Sequence, residues 1–224
     1  MDFSPEQIRW IFIGLFVLIV SVALHEFGHA YMATRLGDDT PRRQGRVTLN
    51  PLAHADPIGT ILLPLIGGVY GATGGFGWGK PVQWQASRIR RGISMSTANI
   101  LVSIAGPSMN LLLATFLALI NTVLVWRGVI AAAGNADQIL QFAVTTNFVL
   151  FFFNLLPIPP LDGGHVAESL TPRRHQRTFE NYAKYGPIIL IGVIMIPQLR
   201  HIFLVPAMWC RNGLYDGLAA LFGI

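Results

Sequence analysis

Between Arg91 and Arg127 the chain carries no charged side chain. A helix rises about 1.5 Å per residue, so that stretch is long enough to cross the ~30 Å hydrocarbon core of a bilayer. A second charge-free run, Trp10 to Leu24, ends directly on His25-Glu26-Phe27-Gly28-His29. A third extends from Gln138 to Leu156. Three such runs conflict with a soluble fold. Composition points the same way: of 224 residues 52% are hydrophobic and only 12% charged, against about 25% charged in soluble domains. The fold class expected is an all-α polytopic membrane protein, a transmembrane helix bundle with a re-entrant helix/strand segment close to the candidate site. One cysteine, Cys210, excludes an internal disulfide and a cysteine-rich zinc site. The formal charge of +5 comes from arginines in short loops between apolar runs. Membrane topology accounts for them better than nucleic acid, which is not expected as a partner.

Ser4-Pro5-Glu6-Gln7 reads as a helix start: a serine cap, proline at the first helical position and a glutamine completing a capping box. The first span is expected over about 5–36, with Gly37 as its stop. It carries the His-Glu pair, so it is expected to be retained rather than cleaved as a leader. A second span is placed at about 97–126, bending at Gly106-Pro107. A third lies over about 138–160, its helix breaking at Pro157, Pro159 and Pro160. A weaker fourth, about 186–209, is interrupted by Pro197 and Arg200. The tail from Asn212 to Ile224 reads as an interfacial helix. No repeat or low-complexity linker divides the chain, and residues 1–224 are read as a single integral-membrane domain.

Residues 58–79 begin apolar and end glycine-rich, and charge decides their course. Arg35, Arg42, Arg43 and Arg46 precede them; Lys80, Arg88, Arg90 and Arg91 follow; Arg173, Arg174, Arg177 and Lys184 come after the third span. These clusters share one face only if the segment dips in and returns. A re-entrant helix and extended strand, over about 58–82, is therefore favoured over a plain span. The basic face is then cytoplasmic. The N-terminus is outside, the His-Glu motif lies towards the cytoplasm, and the number of full crossings is even.

His25 and His29 stand one helical turn apart on one face. Two imidazoles so placed can hold one Zn²⁺, with Glu26 reaching a metal-bound water. As polar glue between two helices, the pair would leave the glutamate unexplained. A catalytic zinc needs a third protein ligand, and Asp162 is the candidate. It follows the third span at the depth expected for the histidines, with Gly163-Gly164 permitting close backbone approach. Asn154 could bind an oxyanion or pack between helices. His54 could donate to the oxyanion from the re-entrant region or be a loop histidine. Asn110 reads as packing, and His165, His175 and His201 as structural or solvated. Phe151-Phe152-Phe153 reads as lipid-facing or as packing within the bundle.

These residues together resemble the site-2 protease family of intramembrane zinc metalloproteases. His25-Glu26-Phe27-Gly28-His29 matches its first motif, and Asn154 through Leu161-Asp162-Gly163 its second. Asn50-Pro51 with His54-Ala55-Asp56-Pro57 matches a block found in bacterial members. Gly106-Pro107 with Asn110 matches the glycine motif of the central helix, and Phe76 to Val82 a loop of the compact bacterial branch without PDZ or CBS domains. The resemblance covers roughly residues 10–170. It implies His25, His29 and Asp162 as ligands of one Zn²⁺ per chain, Glu26 as catalytic base, and a multi-pass protein of the cell membrane. The substrate would be a membrane-spanning protein or peptide, unwound locally and paired with a strand at Gly77 to Val82. With no regulatory module in view, control is expected from outside the chain. A zinc-binding transporter or scaffold without hydrolysis is the alternative. Oligomeric state is not specified.

Overall fold

The structure, a computed structural model, describes residues 4–69 and 77–223. Helix α1 (Pro5–Leu36) begins as its sequence demands: Gln7 N–H donates to Ser4 Oγ at 3.2 Å and Ser4 N–H to Gln7 Oε1 at 2.9 Å. It ends at Gly37, whose φ of 115° suits a residue without Cβ. A single turn, α2 (Thr40–Arg43), follows. Asp38 ties this corner together, accepting from Thr40 N–H and Oγ1 and from Gln85 N–H.

Residues 57–69 and 77–85 follow, the stretch between them lying outside the described residues. Asp56 Oδ1 caps its start, accepting from Ile58 N–H at 3.1 Å and Gly59 N–H at 2.7 Å. A π-helical segment (Pro57–Leu62) leads into α3 (Leu63–Val69). The apolar helix Pro57–Gly68 is one of the shorter ones, only about 18 Å long at 1.5 Å per residue and too short to cross a bilayer. The chain then reappears beside its own departure point. Trp78 N–H donates to Gly59 O at 3.2 Å, Thr60 Oγ1 to Trp78 O at 2.7 Å and Lys80 N–H to His54 O at 2.8 Å. Residues 78–80 thus lie beside residues 54–60, as the re-entrant reading expects, while part of the path between them falls outside the described residues. Most of the glycine-rich end of the segment, residues 70–76, lies outside the described residues. Residues 77–85 take up neither helix nor strand, and no strand ladder forms among the described residues. The strand anticipated at Gly77 to Val82 is not formed as such; the backbone of its alternate residues Trp78, Lys80 and Val82 is bonded to the neighbouring chain.

Helix α4 (Met95–Trp126), capped by Ser94, is the centre of the bundle and packs on α1, α5 (Asn135–Asn154) and α6 (Asp162–Leu170). Small residues allow the approach. A Cβ on Gly28 would stand 2.5 Å from Ala105 O, and Ala114 and Ala118 are wholly buried against Val144, Phe148 and Ala207. Helix α5 ends at Asn154, short of the 138–160 expected. The prolines that follow lack amide hydrogens, and residues 155–161 turn back instead of continuing the helix.

The fourth span differs more. Helix α7 (Gln176–Met195) and α8 (Pro197–Phe222) diverge by 82°. Pro197 disfavours helical geometry in the residue before it, and Ile196 is extended (φ −89°, ψ 112°). The 186–209 span is therefore split at Ile196, and the tail from Asn212 continues α8 rather than forming a helix of its own. Phe153 packs edge-on to Phe203 and fastens α5 to α8.

Polarity is inverted relative to a soluble protein. Phe12, Phe16, Phe116 and Trp209 face outward while Ser21, Asn110, Asn121 and Asn147 are buried. Among the described residues three helices (α1, α4 and α5) are each long and apolar enough to span a membrane. The chain is a multi-pass membrane protein, its outer surface matched to lipid.

Candidate metal centre

His25 and His29 project from the last third of α1 towards α4, and Asp162 enters as the first residue of α6. Their ligand atoms lie within 4.8 Å of one another. His25 Nε2 is 3.2 Å from Asp162 Oδ2, His29 Nε2 is 3.4 Å from Asp162 Oδ1, and the two Nε2 atoms are 3.0 Å apart. The loop that delivers Asp162 requires its glycines. A Cβ on Gly163 would collide with Leu155 O and Leu156 O, and one on Gly164 would stand 2.5 Å from Pro159 N. Gly106 on α4 makes room for the rings, since a Cβ there would overlap His29 Nε2.

The other face of each imidazole is already taken. His29 Nδ1 sits 2.8 Å from Val102 O, a carbonyl that can only accept, so Nδ1 carries the proton and Nε2 a lone pair. His25 Nδ1 sits 2.8 Å from Asn110 Oδ1. Two lone pairs and a carboxylate thus converge, and Asp162 Oδ2 is buried without a hydrogen-bond partner. Such a cluster calls for a shared cation. Two imidazole nitrogens and one carboxylate are the donor set of a catalytic zinc site, so the residues present fit that ion.

Glu26 is buried beside the pair, its Oε2 accepting from Val82 N–H at 3.1 Å. The extended segment passes directly against it; a Cβ on Gly79 would stand 3.1 Å from Glu26 Cγ. Arg46, also buried, holds that segment in place by donating to Ala53 O and Lys80 O.

Each of the two other candidates makes a hydrogen bond to a backbone carbonyl. Asn154 Nδ2 donates to Leu150 O on its own helix at 2.9 Å. His54 is wholly buried, with Nε2 2.9 Å from Thr48 O and Nδ1 without a partner. Burial, seconded by the positive charge of Arg46, holds the His54 pKa below its ordinary 6.5. The unfolded chain then takes up a proton that the folded chain refuses. His54 contributes stability above about pH 6.5, and this is lost as pH falls through that value. Thermal unfolding followed against pH is expected to show this acid-side loss, and His54→Phe to flatten it.

Asn110 is more than the packing residue its sequence position indicates, since it touches His25 directly. Asn147 and the brace at Arg46 carry no signal in the spacing of the motifs, and Gly106 stood in the glycine motif without its clearance for the rings being visible there.

A buried two-histidine, one-carboxylate centre in an apolar helix bundle, with a glutamate beside it, defines a membrane protein of the metallopeptidase type. Comparison with known proteins agrees. The model of peptidase family M50 matches residues 122–196. "Putative zinc metalloprotease YwhC" of Bacillus subtilis (strain 168) is 39% identical over 183 residues, 80% of this chain and 78% of that protein. "Putative zinc metalloprotease Rip2" of Mycolicibacterium smegmatis is 34% identical over 206 residues, covering 88% of this chain and 74% of the relative. The protein of the same name in Mycobacterium tuberculosis H37Rv is 32% identical over 214 residues, covering 92% and 78%. The chain belongs to peptidase family M50. No solved structure matches it.

Proposed function

We propose that this chain is an intramembrane zinc metalloendopeptidase of the His-Glu-x-x-His type, with His25, His29 and Asp162 as ligands of one Zn²⁺ and Glu26 as catalytic base. The convergence of three ligand atoms within 4.8 Å in a membrane bundle carries the reading. Zinc bound there supplies Lewis acidity and lowers the pKa of a bound water to about 7. Glu26 then has two tasks. Its carboxylate takes a proton from the water as the oxygen attacks the peptide carbonyl, and it returns that proton to the departing nitrogen. Val82 N–H fixes Oε2, leaving Oε1 without a hydrogen bond among the described residues and open to the proton. His54 could serve the oxyanion only by releasing Thr48 O, whereas Asn154 keeps a second Nδ2 hydrogen beside the one it gives to Leu150 O.

The substrate must present an extended backbone. Along residues 77–83 alternate residues face opposite ways, as in any strand. Trp78, Lys80 and Val82 direct backbone groups inward, to Gly59, Thr60, His54, Arg46 and Glu26. Gly77, Gly79 and Gln83 have no backbone partner among the described residues. That edge suits an unwound segment of a membrane-spanning substrate, added as a strand beside Glu26. The basic clusters support a cytoplasmic side for this end of the bundle, in the cell membrane, with residues 1–224 read as one membrane domain.

The test is metal analysis alongside cleavage of a single-span substrate by the reconstituted protein. Glu26→Gln is expected to keep zinc and to lose about 10²–10⁴-fold in cleavage. A variant that cleaves normally would remove Glu26 from the chemistry. Wild-type protein that binds zinc and cleaves no membrane substrate would point to a transporter or scaffold.

A further inference from the structure

The His25 ring stands at the end of a polar chain that crosses three helices. Its Nδ1 meets Asn110 Oδ1 on α4 at 2.8 Å. Asn110 Nδ2 donates to Ser21 O on α1 at 3.1 Å and to Asn147 Oδ1 on α5 at 3.0 Å. Asn147 Nδ2 donates to Ser21 Oγ and to Ala143 O, each at 2.9 Å. Both asparagines are wholly buried.

The chain has a direction, and two backbone carbonyls set it. Ala143 O and Ser21 O can only accept, so each demands the NH₂ side of the amide facing it. Asn147 must therefore turn Oδ1 towards Asn110, and Asn110 must turn Oδ1 towards His25. An amide oxygen only accepts, so His25 carries its proton on Nδ1 and presents Nε2 as a lone pair. Flipping Asn147 alone would set two NH₂ groups against each other. Flipping Asn110 would set an NH₂ group against His25 Nδ1, which must then accept, moving the ring proton to Nε2 where Asp162 and His29 converge. In a buried site neither arrangement has water to relieve it.

We propose that Asn147 is a positioning residue for the metal centre. Acting through Asn110, it locks His25 in the tautomer whose Nε2 faces the metal. The inference rests on the reading of His25 as a ligand. Removing a partner of a metal-binding histidine lowers metal affinity about 10–100-fold. Asn110→Leu is expected to fall in that range. Asn147→Leu is expected near its lower end, about 10-fold, because Ser21 O still holds Asn110.

Zinc affinity of the full chain in detergent is measured by competition with a chelator, for wild type, His25→Ala, Asn110→Leu, Asn147→Leu and the double variant. Asn147→Leu is expected to weaken binding in the wild-type background and to add nothing to Asn110→Leu, the non-additivity of a relay. Unchanged affinity in Asn147→Leu, or losses that simply multiply in the double variant, overturn the proposal. Unchanged affinity in His25→Ala overturns instead the reading of the site. A measurement on the unaltered sequence covers the case in which leucine variants fail to fold. ¹⁵N NMR of the histidine-labelled, zinc-loaded wild type is expected to show His25 protonated at Nδ1. A proton on Nε2, with metal on Nδ1, refutes the relay.

Discussion

Gly106→Ala is expected to eliminate metal binding and to reduce cleavage to background, a fall of about 10⁶-fold or more if the site accounts for the catalysis. The substitution adds one methyl group to a helix and touches no candidate ligand chemically. Its consequence is spatial. The new Cβ would overlap His29 Nε2, and it would stand 2.9 Å from His25 Cε1. Neither ring can simply retreat, since each is tied to α4 itself, by Val102 O and by Asn110 Oδ1. One of these bonds must break, or α1 and α4 must part where Gly28 lies against Ala105 O. The helix itself gains from the change, because alanine exceeds glycine in helix propensity by about 1 kcal/mol. A loss of zinc therefore cannot be laid to a weakened α4. Gly192→Ala on α7, where a Cβ meets nothing within 4 Å, is the control and is expected to leave both zinc and cleavage unchanged. Zinc content at wild-type level in Gly106→Ala would mean that the rings do not lie against α4.

The elements most legible in the sequence were those governed by local chemistry. The Ser4–Gln7 box and Gly37 fix the two ends of α1, because capping involves residues a few positions apart. The spacing of His25 and His29 placed both on one face for the same reason. Pro157 to Pro160 marked where α5 stops, though not that Asp162 would open a new helix. Pro197 announced a break but not its 82° direction, which depends on how α8 packs against α4 and α5. The polar network was invisible for a different reason. His25 and Asn110 are 85 residues apart, and Asn110 and Asn147 are 37 apart. No periodicity relates them, and an asparagine in an apolar helix reads equally as glue between helices or as part of a site. Only packing across α1, α4 and α5 distinguishes the two. The same holds for Arg46, whose charge marked topology while its guanidinium braces the segment beside Glu26.

Asp162→Asn separates the carboxylate's chemistry from its place in the fold. The side chain keeps its size, and the helix it begins is anchored independently: Asn99 Nδ2 donates to Ser169 Oγ and Ser96 Oγ to Ser169 O, each at 2.7 Å. Zinc is where the two chains are expected to differ. With the carboxylate, the ion's charge is halved by a direct ligand. With the amide it would rest on two neutral imidazoles in a buried cavity, where uncompensated charge is expensive. Zinc at 100 times its dissociation constant is therefore expected to stabilise wild type by about 2.7 kcal/mol. It should leave the melting temperature of Asp162→Asn unmoved, with cleavage again at background, about 10⁶-fold down. Thermal melts across a zinc titration, run beside a cleavage assay, read both effects. A variant that takes up zinc as wild type does and still cuts its substrate would place the third ligand elsewhere.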